Sequence, residues 1–301
     1  MNPESSWLVA LKNKFKNERR KLQNNHEVQK QREKFGSHRR RVSSERANSE
    51  LQRTRRQNIP LGTDHEDDAS LQAHEEWLKT EHKKRSPNEE QIKIRMAATY
   101  KGRCAKLAVM PVQASLETYP YIMIAERRLA LSAVQDGIQE VVNLTLKGTI
   151  STSSSLLQIV QQIPHLDDVC SARKKHLFAV AAVRIMCRCL REPDGISQLF
   201  IHEDVDPEDF PSTPCVRYTG ASLEEAQHMH LLVESQELFR IINAEDGVAA
   251  IFAAYWLFQA MYDAKVFNVL TYIEHQWFKL GVTKPRASVI RLVNKTQVLI
   301  N

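Results

Sequence analysis

Glycine is scarce in this sequence, with nine residues in 301. None of them falls into G-x-x-x-x-G-K-[ST] or G-x-G-x-x-G, the loops whose backbone amides cradle phosphates, so the residues do not point to a nucleotide-binding loop. No G-x-S-x-G elbow is present to expose a nucleophilic serine. H-E-x-x-H and C-x-x-C are absent too. The five cysteines are odd in number and follow no disulfide or zinc spacing. Cys187 and Cys189 form a C-x-C inside an apolar helical run, where they point to different sides of the helix. The cysteines are therefore read as reduced and structural, as in a cytosolic or nuclear protein. Long hydrophobic runs are missing as well. The longest, Val248 to Met261, is interrupted by Gln259 and is shorter than the roughly 20 residues a bilayer requires. The stretch Trp7 to Leu11 is too short for the apolar core of a signal peptide. No catalytic residue, metal ligand or cofactor is expected from these motifs.

What is present is a marked division of charge. The chain carries 42 Lys+Arg and 36 Asp+Glu, a net +6. Residues 1–60 hold 16 Lys+Arg against 6 Glu, or +10, which leaves 6 − 10 = −4 on the remaining 241. A basic segment on a mildly acidic body suits nucleic acid, an acidic surface or an acidic partner protein.

Residues 5–35 pattern as a basic helix, with Trp7, Leu11, Phe15 and Leu22 on one stripe and Gly36 as its stop. Three readings of this helix stay open: docking of the stripe on the body, entry into a nucleic-acid groove, or adsorption to a membrane surface. The shortness of the stripe argues against the membrane. Residues 36–60 are rich in Arg, Ser, Asn and Gln and cannot bury enough surface to offset their ordering entropy, so a mobile linker is expected. Arg39-Arg40-Arg41 and Arg53-Thr54-Arg55-Arg56 read as a nuclear import signal, a phosphate-binding arm, or both. The residues expected to contact nucleic acid are Lys12, Lys14, Lys16, Arg19, Arg20, Arg39, Arg40, Arg41, Arg53, Arg55 and Arg56. Phosphorylation of Ser43 or Ser44 would cancel part of the adjacent charge.

The acidic residues at 64–68 mark a boundary. A short helix over 71–82 follows, and Ser86-Pro87-Asn88-Glu89 has the form of a helix start with a capping box. Ile92, Met96, Tyr100, Cys104 and Ala108 recur four apart behind it, and Pro111 closes the run. Further helices pattern at about 120–145, 153–163 and 169–191, stopped by Glu192-Pro193-Asp194-Gly195. The run Ile201 to Asp209 is acidic and is read as a solvated loop. It lacks the glycine and terminal Glu of a calcium loop.

Strands are expected at 215–218, at 229–234 and at 237–242, with a hairpin turn at 234–236. His228 and His230 would share one side of the second, but two ligands do not make a zinc site. Two apolar helices then cover about 245–262 and 265–279, with Gly281 as a stop, and the basic segment from Lys284 reads as a loosely held tail. The fold class expected is mainly α with a small α+β C-terminal unit, preceded by the basic N-terminal helix and disordered linker. The domain reading is 1–68 for helix and linker, 69–195 for a helical unit, 200–283 for a hairpin plus two helices, and 284–301 for the tail.

Several segments resemble one family. The opening Trp7-Leu-Val-Ala-Leu-Lys-Asn-Lys-Phe-Lys-Asn-Glu-Arg-Arg-Lys-Leu22, the middle from Leu71 and Trp77-Leu78 through Pro87, Ile92, Met96, Thr99 and Arg103 to Tyr119-Pro120, and the end are all similar to it. That end comprises Cys215-Val-Arg-Tyr-Thr-Gly, Leu232-Val-Glu, Ala253-Ala-Tyr-Trp-Leu-Phe-Gln, Tyr262, Phe267, Leu270 and Tyr272-Ile273. The family is that of fish proteins labelled as like the sterile-alpha-motif domain-containing protein three. No sterile alpha motif is visible in this chain, so that motif's polymerising role does not carry over. The resemblance implies a largely helical protein and no catalytic residues. The functional expectation is a non-enzymatic nuclear protein, with the cytoplasm as a second location. It associates with nucleic acid through its arm and with a protein partner or a second copy through its body. The alternative is an interaction scaffold without nucleic-acid binding.

Overall fold

The structure, a computed structural model, describes residues 67–297 apart from 108, 109 and 168. It is mainly helical, with a small four-stranded sheet toward the C-terminal end. The segment read as a basic helix and linker lies outside the described residues.

Helices α1 (Asp68–Glu81) and α2 (Glu89–Leu107) pair first. Asp67 caps α1, its carboxylate accepting from the Ser70 amide at 2.8 Å. The capping box expected at Ser86 gives way to a later start. The Asn88 side chain takes the cap, accepting from the Gln91 amide at 3.1 Å. Its own backbone N–H is tied to the buried carboxylate of Glu81 at 2.8 Å. Fixing Asn88 from α1 sets where α2 can begin.

Past the short α3 (Val112–Thr118) runs α4 (Ile122–Leu146), 25 residues long. α5 (Ser154–Gln162), with Ser153 as its cap, and α6 (Ser171–Cys189) complete the first half. α7 (Gly195–Leu199) leads directly into β1 (Phe200–His202), a strand the acidic sequence beside it concealed. β2 (Cys215–Tyr218), β3 (Met229–Val233) and β4 (Gln236–Ile241) follow where alternation placed them. The order is β1-β2-β3-β4, with β1 parallel to β2 and the rest an antiparallel meander. Glu234 and Ser235 turn the hairpin at φ 53° and 61°, the left-handed backbone that two-residue hairpin turns require.

α8 (Ala244–Leu257) is buried along almost its whole length and lies against α4 and beneath the sheet. Its small residues Ala249, Ala250, Ala253 and Ala254 let neighbours approach closely. At Gly247 a side chain would press on Phe200 of β1 and Val216 of β2. α9 (Phe267–Tyr272) runs into a π-helical turn at Ile273–Trp277. That turn delivers Trp277 onto Gly137 of α4, so closely that a β-carbon at 137 would overlap the indole. The segment after Lys284, read from its sequence as a loose tail, instead forms α10 (Ala287–Gln297), which packs against α9 and buries Val289 and Leu292. Val289, Leu292 and Val293, with buried Thr296, recur three and four apart, a helical face that the surrounding basic residues obscured. One continuous cluster of buried side chains links Leu78 in α1 to Leu292 in α10. Among the described residues no helix is long and apolar enough to cross a membrane.

Buried His176 of α6 joins three elements. Its Nε2–H donates to the Leu223 carbonyl at 2.8 Å, and its Nδ1 accepts from the Ala244 amide at 3.0 Å. Both bonds together require the neutral ring. Desolvation holds its pKa below the usual histidine value, helped by the nearby charge of Arg173.

Two outcomes follow from this packing. Gly137→Ala should cost about 1–3 kcal/mol, the usual penalty for overpacking a filled site, and should lower the thermal midpoint in a calorimetric scan. For His176, the folded pKa lies below the unfolded one, so the unfolded chain takes up the proton first. Its contribution is complete above the unfolded value of about 6.5 and is lost as pH falls through it toward the folded value. Denaturant unfolding of wild type and His176→Gln should therefore show a stability gap that is wider at neutral pH than at mildly acid pH. A gap that does not change with pH would remove the histidine from this role.

Candidate functional site

A hollow of about 750 Å³ lies where α7 enters β1. Its walls are the turn Arg191 to Asp194, the strand residues Phe200 to His202, the loop residues Val205, Asp209 and Pro211, Tyr218 of β2, and Ala264 and Lys265. The chain folds into a cleft here because Arg191 turns back at φ 63° after α6, letting Pro193-Asp194 swing into α7. Its volume falls in the range of roughly 300–1,000 Å³ that accommodates small ligands.

Two of the side chains with the chemistry for acid–base work in this cleft, Glu192 and His202, are engaged in holding the fold. Glu192 is buried and accepts from the backbone amides of Asn268 at 2.8 Å and Val269 at 3.0 Å. It thus supplies from a distance the negative charge that the first turn of α9 favours. Burial raises its pKa, and those two amides and Arg286 pull the other way. His202 donates from Nε2 to the Gly220 carbonyl at 2.7 Å, and its Nδ1 accepts from the Asp204 amide at 3.2 Å. Its ring meets Tyr218 edge-on with centroids 5.2 Å apart. Arg191, Asp194, Ser197, Gln198 and Lys265 complete the polar part of the lining. The cleft offers charges of both signs and hydrogen-bonding groups, the character of a binding surface for a polar ligand.

The described cysteines 170, 187, 189 and 215 are free thiols. Burial pushes the thiols of Cys187 and Cys215 up to about 12 and raises that of Cys189. A thiol so displaced stays protonated at neutral pH and is a poor nucleophile. Cys187 is buried while half-buried Cys189 donates to the Ser151 carbonyl at 3.4 Å, so the C-x-C points two ways, as its helical setting dictates.

The acidic run after β1 forms a short 3-10 turn, Pro207–Asp209, started by the Asp206 carboxylate accepting from the Glu208 amide at 2.9 Å. Glu203, Asp204, Asp206, Glu208 and Asp209 are exposed. His230 of β3 lies between Arg217 of β2 and Arg240 of β4. Glu237 holds Arg217 at 2.7 Å and stands 3.5 Å from His230. Among the described residues no three His, Cys, Asp or Glu side chains converge to hold a metal ion. The eleven arm residues Lys12, Lys14, Lys16, Arg19, Arg20, Arg39, Arg40, Arg41, Arg53, Arg55 and Arg56 lie outside the described residues. Glu192 and His202 escaped the sequence reading. Glu192 sat in what read as a plain turn, and His202 preceded an acidic run that masked the strand.

Comparison of the chain with protein-family models, curated proteins and solved structures finds no match.

Glu192→Ala should leave the Asn268 and Val269 amides buried without an acceptor. The cost is on the order of 1–3 kcal/mol for each group so stranded. Hydrogen exchange should show the amides of α9 opening first, before the rest of the core.

Proposed function

We propose that this chain is a non-enzymatic nuclear protein that associates with nucleic acid through its basic segment, while the helical body serves protein contacts. The observation that carries the reading is the division of charge: 16 Lys+Arg against 6 Glu within residues 1–60, in a chain whose overall charge is +6. Basic side chains concentrated in this way neutralise phosphates and release the counterions condensed on them, irrespective of base sequence. Arg39 to Arg41 and Arg53 to Arg56 are dense enough to act as phosphate contacts and as an import signal together. In the body, the commitment of Glu192 and His202 to backbone partners and the high pKa of the buried thiols favour binding over catalysis. Exposed Ile94 of α2 and Ile124 and Leu129 of α4 supply apolar surface for a protein partner.

The test is a titration of full-length protein and of a variant carrying Glu at Arg39, Arg40, Arg41, Arg53, Arg55 and Arg56 against a random duplex and a random RNA. Wild type should bind and lose about 10³–10⁵ in affinity between 50 and 200 mM salt if six to ten phosphates are contacted. The variant should bind far more weakly, with a flatter salt dependence. Equal binding by the two proteins, or none by either at low salt, would sink the nucleic-acid reading in favour of an interaction scaffold. Mass measured by light scattering across a concentration series reads out that alternative.

A further inference from the structure

A second hollow has a chemistry that the proposed function does not use. It encloses about 220 Å³ between α2, α4, α8 and the chain just past the π-helical turn. Tyr100, Phe252, Trp256 and Phe278 bring four aromatic rings to its lining, and Glu126 brings the one carboxylate. Leu129 adds an aliphatic side.

Three of the rings form a connected wall. Phe252 stacks on Phe278 with centroids 4.1 Å apart and planes 10° from parallel, and lies 5.9 Å from Trp256 at 31°. The indole is held by a relay of hydrogen bonds. Trp256 Nε1–H donates to the Tyr262 hydroxyl at 2.8 Å, and that hydroxyl donates to the Glu274 carboxylate at 2.9 Å. Glu274 has no solvent exposure and is anchored further by the backbone amide and hydroxyl of Thr283, each at 2.6 Å. With its N–H committed to Tyr262, the indole has only π surface to offer the hollow.

Glu126 supplies the hollow's negative charge. Its ion partner is the buried Arg103 guanidinium, at 3.4 Å, and that guanidinium also donates to the Met96 carbonyl and to the Thr99 hydroxyl. The cation is thus divided among three acceptors. Burial raises the pKa of Glu126 even against the pull of Arg103. The Glu126 carboxylate is partly desolvated, with 21% of its side chain exposed, so a second cation close to it is favoured, and the negative faces of aromatic rings attract cations. One kind of ligand meets both demands: an alkylated ammonium, which carries a positive charge yet is weakly enough hydrated to leave water. The hollow is smaller than the roughly 300–1,000 Å³ of pockets for drug-sized molecules, which suits a head group on a longer molecule. We propose that this hollow binds a methylated ammonium group, with Glu126 as its counter-charge and Tyr100, Phe252, Trp256 and Phe278 as its aromatic walls. The group arrives either as a methylated lysine side chain of a partner protein or as a free quaternary amine. The proposal does not depend on the nucleic-acid reading.

The experiment titrates the full-length protein by calorimetry with choline, with its neutral carbon isostere 3,3-dimethylbutan-1-ol, and with a short uncharged peptide carrying one trimethyllysine. Choline should bind about tenfold or more tighter than the isostere, as a desolvated cation–π contact implies. It should also shift the indole N–H resonance of Trp256, assigned through Trp256→Phe. Glu126→Gln should remove most of the preference for the cation, and Glu126→Asp, which keeps the charge and leaves Arg103 a partner, should retain it. A peptide that binds well above choline identifies the lysine source, and parity identifies the free amine. Equal binding of choline and its isostere, a preference that survives Glu126→Gln, or no shift of the Trp256 resonance at about 50 mM choline would each overturn the proposal.

Discussion

The body depends on the close approach of α4, α8 and the π-helical turn. α4 can lie against Trp277 because residue 137 is glycine, and the sheet can lie on α8 because residue 247 is glycine. At each point the space for a side chain is already filled, by an indole in one case and by Phe200 with Val216 in the other. Interiors packed at crystal-like density transmit a misfit of one methylene, so these two positions fix the spacing of the layers. The alanines of α8 serve the same end less stringently. Two polar contacts then lock α4 to the start of α8. Arg127 reaches Asp246 at 3.2 Å while lying 5.0 Å over the ring of Phe239, and Gln135 donates to Glu245 at 2.7 Å.

Around that axis the fold places buried polar groups where segments without regular structure must be held. His176 secures the loop before β3 and the start of α8, Glu192 caps α9 from 76 residues away, and Glu274 gathers Tyr262 and Thr283. Each bond adds only about 0.5–1.5 kcal/mol net, yet stranding any one partner costs the full desolvation of that group. Such ties act mainly by penalising alternative arrangements. The lowered pKa of His176 and the raised pKa of Glu192 both arise from that burial.

Helical periodicity and strand alternation made most of this architecture legible. The face Ile92, Met96, Tyr100 announced α2, and the alternation around Leu231 and Val233 announced β3. The failures share a cause: local composition hid a pattern carried by few residues. β1 has three residues beside an acidic run, and its parallel partner lies beyond that run, so no hairpin signal points to it. α10 carries its apolar stripe among basic residues and owes its place to contact with α9. The start of α2 was misplaced because the cap is chosen by a tertiary contact, Glu81 on the Asn88 amide, which no local motif encodes. The candidate sites were less legible still. Glu192 and His202 come together across one turn and one strand, and the rings around Glu126 of α4 come from α2, α8 and the chain beyond the π-helical turn. Convergence of that kind is a property of the fold, with no spacing in the sequence to reveal it.

The two proposals rest on opposite chemistries of positive charge. Under the proposed function, residues 1–60, with 16 Lys+Arg against 6 Glu, would hold a polyanion by long-range, salt-sensitive attraction that does not discriminate among sequences. The hollow beside Trp256 presents π surface and a carboxylate, and a cation bound there as proposed would be held at contact distance. The first mechanism would concentrate the protein on a charged polymer without selecting a place on it. The second would be insensitive to the polymer's charge and would select one small group by shape and polarisability. A protein that used both would owe its residence near nucleic acid to the first and its choice of position to the second, because only the short-range site loses its affinity when a single methylated group is missing.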